Sequence, residues 1–165
     1  MIGSILLLAY VVLARLGEMW FARRNTAGLM ARGASEHAPG HYPFILVMHV
    51  AWLLGLCWLG WNRPINLAWL SVFVLLQGLR LWVFATLGSR WTSRIITVPG
   101  DVLVTRGPYR FTRHPNYLVV IGEIAALPMV FGLWQFALAF SVLNAIALFV
   151  RILAEDQALA SFRHG

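Results

Sequence analysis

Residues 117–154 read "YLVVIGEIAALPMVFGLWQFALAFSVLNAIALFVRILA", and the way this run divides decides the fold. It is almost unbroken apolar sequence, nearly twice the ~20 residues that one helix needs to cross a hydrocarbon core. A single helix over the whole run would far exceed one span. Gly132 and its neighbours offer a turn, and Pro128 kinks or ends the arm before it. The run therefore predicts two helices, about 117–131 and 133–154, folded into a tight hairpin that satisfies its backbone internally.

Three more apolar blocks precede it, at 2–22, 41–61 and 65–87, each long enough to span a membrane as a helix. The composition agrees. Of 165 residues, 60% are hydrophobic and 12% charged, and the mean hydropathy is +0.74. Soluble domains are nearer half apolar and a quarter charged. The expected fold is an all-α integral membrane protein of about five transmembrane helices in one domain, 1–165. The net charge of +7 comes from arginine alone, with no lysine. In so apolar a chain those arginines suit anionic headgroups or the protein interior, and no nucleic-acid partner is expected. Cys57 is the single cysteine and lies in an apolar run, so no disulfide forms within one chain. The first segment makes a poor signal peptide, because positive charge is missing ahead of the apolar run and Arg15 and Glu18 fall where cleavage would occur.

Two polar segments remain, 23–40 and 88–116. The first carries Arg23, Arg24 and Arg32; the second carries Arg90, Arg94, Arg106, Arg110 and Arg113. The turn between the second and third helices holds only Arg63. By the positive-inside rule both polar segments and the C-terminus face the cytoplasm and the N-terminus lies outside, in what is expected to be a bacterial inner membrane. Trp58, Trp61 and Trp134 then sit near the outer interface, as an aromatic belt requires.

Charges inside the spans need partners, because each costs at least a few kcal/mol in hydrocarbon. Arg15 and Glu18 have the i,i+3 spacing of an interfacial pair. Arg80 and Glu123 read either as a buried structural pair or as functional groups. Arg151 and Glu155 have the i,i+4 spacing of a helix-end salt bridge, but helix 5 brings them back to the face where 88–116 lies.

That loop contains "GPYRFTRHPNY", 107–117. Gly107 and Pro108 make a turn, and Pro115 suits the first turn of the next helix. The helix then points its free amides and positive end at the loop, near Tyr109, His114 and Tyr117. Such a loop can hold a polar, partly anionic molecule; equally, it can lie as a basic strap on headgroups. Other chemistries find no support. Neither GxGxxG nor a P-loop motif occurs. His37 and His41 are i,i+4, but Pro39 and Gly40 between them exclude a helical metal clip, and no metal site is expected. Ser35 and Ser93 lack a base partner. There are no inverted halves to suggest a transporter.

"DVLVTRGPYRFTRHPNYLVV" at 101–120, a hairpin, and then "RILAEDQAL" at 151–159 resemble the isoprenylcysteine carboxyl methyltransferase (ICMT) family. That family carries a pattern like G-x-Y-x-x-x-R-H-P-x-Y followed, one hairpin later, by R-x-x-x-E-[ED]-x-x-L. The match covers about residues 88–160. The upstream "RLGEMWFARRN" and "GASEHAPGHYPFILVMH" look like a bacterial branch, whose members are thought to methylate lipid-like acids or polyketide hydroxyls.

The resemblance implies a methyltransferase that takes S-adenosylmethionine from the cytoplasmic side without a Rossmann fold. By position, Asp101, Val102, Leu103 and Val104 would run along the cofactor; Tyr109, His114, Pro115, Asn116 and Tyr117 would enclose it. Glu155 would hold its amino group. Arg151 would face a lipophilic acceptor; a hydroxyl acceptor needs its proton removed or its anion stabilised, a task open to His114 or Glu123. The family position matching Asp101 is often histidine, and Thr97 stands as a further polar contact just upstream. The family's usual soluble tail is reduced to "SFRHG", which implies either that the tail matters less here or that the 88–116 loop alone makes the lid. Two other readings predict different chemistry: a phospholipid N-methyltransferase, and a membrane scaffold or lipid-binding protein that binds no S-adenosylmethionine.

Overall fold

Helix α1 spans Ile2–Met30 and so runs eight residues beyond the predicted 2–22. Ala22, Asn25 and Leu29 are all buried, so the core-facing stripe continues at helical spacing through polar sequence that reads as a loop. Asn25 replaces apolar packing with hydrogen bonds, donating from Nδ2 to the carbonyls of Gly88 (3.1 Å) and Trp91 (2.8 Å). Gly33, at φ 79°, ends the helix, and the Ala34 amide closes the last turn on the Leu29 carbonyl. The computed structural model describes residues 1–37, 40 and 42–160, the last three as backbone. His41 and the "SFRHG" tail lie outside the described residues.

After α1 come a short strand β1 (Ser35–His37), α2 (Tyr42–Gly60) and α3 (Leu67–Leu87). Asn66 caps α3, its side chain accepting from the amides of Ala68 and Trp69. The segment that follows contains two 3₁₀ turns (Gly88–Arg90 and Gly107–Arg110) and a strand β2 (Ile95–Thr97). Helix α4 (Pro115–Val130) and helix α5 (Trp134–Ala160) form the hairpin. Its turn rests on Gly132 at φ 70°, with the Leu133 amide donating to the Pro128 carbonyl at 3.0 Å. Pro128 thus sits in the final turn of α4, where it ends the helix.

Helices α1, α2, α3 and α5 are long and apolar enough to cross a membrane, and the protein is an integral membrane protein. Helix α4 has 16 residues, about 24 Å against a ~30 Å hydrocarbon core. It packs between α3 and α5 and buries Val119, Ile124, Leu127 and Val130. One departure from an all-α fold is the antiparallel pairing of β1 with β2, Glu36 opposite Ile96. Two three-residue strands separated by more than fifty residues leave no periodicity in the sequence to find.

Two of the apolar clusters lie at opposite ends of the bundle. Val11, Trp52, Leu56, Phe73 and Phe131 belong to one, near the hairpin turn. At the other end Trp91 stacks on Phe21 (5.9 Å) and meets Phe84 edge-on (4.4 Å), over Val83 and Ala22. Between them lies a four-charge cluster. Arg80 donates Nε to Glu123 Oε1 at 2.8 Å, pairs through Nη2 with Glu123 Oε2, and reaches Glu18 at 3.0 Å. Arg15 holds Glu18 (2.5 Å) and Glu123 (2.9 Å), and Gln77 donates to Glu123 at 2.5 Å while accepting from Tyr10. Arg15–Glu18 is therefore more than a pair on one helix: it ties α1 to α3 and α4. Two cations and two anions leave no net charge, which is how four ionisable groups are tolerated at this depth.

Candidate functional site

The α4 and α5 ends remote from the hairpin, together with the segment after α3, enclose a cavity of about 420 Å³, within the ~300–1,000 Å³ typical of small-molecule sites. Pro115 opens α4 beneath it, buried at the first helical position. Tyr117, two residues on, is the hub. Its hydroxyl accepts from Arg151 Nε at 2.8 Å and donates to Glu155 Oε2. The guanidinium carbon lies 5.5 Å from the Tyr117 ring centroid, and Nη2 donates to the Ser93 carbonyl at 2.7 Å. Arg151 and Glu155 thus meet on a tyrosine of the neighbouring helix, and that shared contact fixes both at the cavity wall.

His114 stacks on Tyr117 with centroids 5.2 Å apart. Its Nδ1 is 3.9 Å from Glu155 and its Nε2 3.8 Å from Asp156. Asn116 lines the cavity, and its Oδ1 is buried without a hydrogen-bond partner among the described residues. A buried acceptor left open costs stability, so this atom marks a place for a donor group to bind. Tyr109 is half-buried; burial raises its phenol well above the ordinary range and the Glu155 carboxylate raises it further, so it stays a neutral donor.

Asp101, Val102, Leu103 and Val104 also line the cavity. Val102 is 79% exposed and Leu103 39%, so they offer an apolar strip to whatever enters. The Asp101 carboxylate is engaged by Arg90 (3.1 Å) and Arg32 (3.5 Å), and Arg90 also donates to the Val102 carbonyl at 2.9 Å. Asp101 holds the strip in place through those arginines. Thr97 faces the cavity as well, with its hydroxyl 2.7 Å from His37 Nε2 across the strand pair.

Of the eleven residues singled out in the sequence, ten line this cavity, and Pro115 lies buried at the start of α4. Sequence reasoning missed Trp91, the Ser93 carbonyl, and the two arginines on Asp101. A tryptophan flanked by arginines in "SRWTSR" was the available signal for the first. The backbone acceptor leaves no trace in side-chain types. Among the described residues no group of three His, Cys, Asp or Glu forms a set of metal ligands.

The profile of the isoprenylcysteine carboxyl methyltransferase (ICMT) family matches residues 69–161, which include most of α3, the cavity segment and the hairpin. The chain belongs to the ICMT family. It is 39% identical to the uncharacterized protein YpbQ of Bacillus subtilis, over 95% of this chain and 96% of that protein. It is 22% identical to an uncharacterized protein of Haemophilus influenzae over 92% of each. No solved structure matches the chain. Family membership makes this a membrane methyltransferase by descent, with α1 and α2 outside the matched region.

Proposed function

We propose that the protein binds S-adenosylmethionine in the cavity above α4 and methylates the carboxylate or hydroxyl oxygen of a lipophilic acceptor. The observation that carries this reading is the Arg151–Tyr117–Glu155 assembly, an anion and a cation held side by side at one cavity wall. S-adenosylmethionine supplies a methyl group on a sulfonium, together with an ammonium, a carboxylate and a purine. The residues fit such a molecule: Glu155 offers an anion for an ammonium, Asn116 Oδ1 an open acceptor, and Val102 and Leu103 an apolar strip.

Arg151 pairs with an anionic head and orients it, which suffices for a carboxylate, already a nucleophile. For a hydroxyl, His114 takes the proton, and the Glu155 and Asp156 carboxylates face the charge that forms. Tyr109 and the 101–104 strip close the cavity against water. The arginine distribution supports five spans with α4 among them, the N-terminus outside and the C-terminus cytoplasmic. A C-terminal reporter active only outside the cytoplasm would contradict that orientation.

The test is transfer of labelled methyl from S-adenosylmethionine to a total membrane lipid extract by the purified protein. Label in a base-labile ester or an ether supports the reading; label in a phospholipid amine instead identifies an N-methyltransferase. No S-adenosylmethionine binding and no transfer would leave a lipid-binding protein.

A further inference from the structure

The 3₁₀ turn Gly107–Arg110, which gives the cavity its Tyr109, has a second face. It is fixed against α3: Gly107 sits at φ 62°, where a Cβ would collide with the Thr86 side chain, and Pro108 is buried. The Tyr109 amide donates to the Arg106 carbonyl (3.3 Å) and the Phe111 amide to the Pro108 carbonyl (3.2 Å). Residues 106–111 therefore hold one shape. Tyr109 lines the cavity and is half-buried, whereas Arg106, Arg110 and Phe111 are exposed.

Phe111 is 70% exposed, yet its ring folds back on α3 and meets Trp82 edge-on with centroids 6.3 Å apart. Trp82 is itself 46% exposed. It lies five residues before Leu87, the end of α3, about 7.5 Å along the helix axis. Apolar side chains of interfacial segments reach about 5–10 Å into the boundary between headgroups and acyl chains, so this pair has the depth of a membrane anchor. The Arg110 guanidinium carbon is 4.9 Å from the Phe111 centroid, at the same level. No acid occurs between Asp101 and Glu123. Arg32, Arg90 and Arg94 each meet a carboxylate, but among the described residues Arg106 and Arg110 meet none. Two unpaired cations at the ends of one turn repel each other, and an anion between them would relieve that repulsion.

We propose that residues 106–111 and Trp82 form a site for an anionic phospholipid, its phosphate on Arg106 and Arg110 and the first carbons of its chains on Phe111 and Trp82. The occupant is a bilayer lipid with a net negative head. A soluble phosphate would use the arginines and leave the aromatic pair bare. A zwitterionic lipid would bring its own ammonium up to two cations, which disfavours it. The site stands on this turn and does not depend on the methyltransferase reading.

The test places the full chain in nanodiscs of dioleoylphosphatidylcholine that contain a phosphatidylglycerol bearing a diazirine on its acyl chain close to the glycerol. In the wild type the label should concentrate in peptides that contain Trp82 and residues 106–118. Unlabelled dioleoylphosphatidylglycerol should compete, while free glycerol 1-phosphate and added dioleoylphosphatidylcholine should not. Raising the salt to about 0.5 M should weaken the label, because exposed charges are then screened. In Arg106→Gln/Arg110→Gln it should fall about twentyfold, since each arginine at an anionic surface is worth about fivefold. Arg63→Gln removes an exposed arginine from the turn between α2 and α3 and should leave the label unchanged. In neutral detergent the double variant should melt with the wild type. Phosphatidylglycerol should then raise the melting temperature of the wild type by about 2–4 °C and leave the double variant where it was. A label spread evenly over the lipid-facing helices, one indifferent to salt or to the double substitution, or one displaced by glycerol 1-phosphate overturns the site. The competition and salt measurements use the wild type alone, so they decide the matter even if the double variant fails to fold.

Discussion

Removing Arg80 should be far more damaging alone than together with Glu123. The two side chains are 6% and 4% exposed and make a two-pronged contact. Arg80→Met leaves Arg15 as the single cation among Glu18 and Glu123, a net negative charge inside the bundle. Breaking one side of a buried pair costs about 3–5 kcal/mol. Arg15 (2.9 Å) and Gln77 (2.5 Å) still hold Glu123, which places the expected loss near the lower end of that range, about 3 kcal/mol. Glu123→Met leaves an excess cation and should cost a similar amount. The double variant is different. Arg15 keeps Glu18 at 2.5 Å and Gln77 keeps Tyr10 at 3.1 Å, so what remains is neutral and internally bonded. Two methionines of similar volume should then bring stability back to within about 1 kcal/mol of wild type. Equilibrium unfolding in mixed micelles on all four proteins gives the coupling directly. Single variants that each lose under ~1 kcal/mol, or a double variant that loses the sum, would refute the reasoning.

Three further outcomes follow from the same geometry. Tyr117→Phe keeps the ring stacked on His114 but deletes the hydroxyl that joins Arg151 to Glu155; it should weaken S-adenosylmethionine binding about tenfold with little change in thermal stability, checked by equilibrium binding beside a melting curve. Asn25→Ala loses two hydrogen bonds that dock the end of α1 on the segment after α3, and should destabilise the protein by about 1–3 kcal/mol in an unfolding titration. Asp101→Asn weakens the hold of Arg90 and Arg32 on the 101–104 strip; proteolysis within 98–106 should accelerate while the helices stay resistant.

The hairpin was legible because Gly132 and Pro128 are turn chemistry inside an otherwise apolar run, and local rules decide such places. The in-membrane charges were legible as anomalies but not as a unit. Arg15, Glu18, Arg80 and Glu123 lie on three helices, and only packing reveals that they balance. The end of α1 was missed because a buried Asn25 breaks the apolar pattern while preserving the helical spacing of Ala22 and Leu29. Arg151 and Glu155 showed a spacing that invites a salt bridge within the helix. Their meeting on Tyr117 depends on how α4 and α5 close, which spacing along one helix does not encode.

The most direct test of the account is the affinity for S-adenosylmethionine of wild type, Glu155→Gln and Arg151→Ala, measured side by side with their thermal stability. Glutamine keeps the shape and the contact with Tyr117 but removes the anion that faces an ammonium. The account predicts a loss of about 1.5–3 kcal/mol for Glu155→Gln, one to two decades in affinity. Arg151→Ala should bind S-adenosylmethionine closer to normal and lose turnover with the acceptor. Unchanged affinity in Glu155→Gln, with the two variants showing equal small losses of stability, would mean that these residues only fasten the end of α5 to α4.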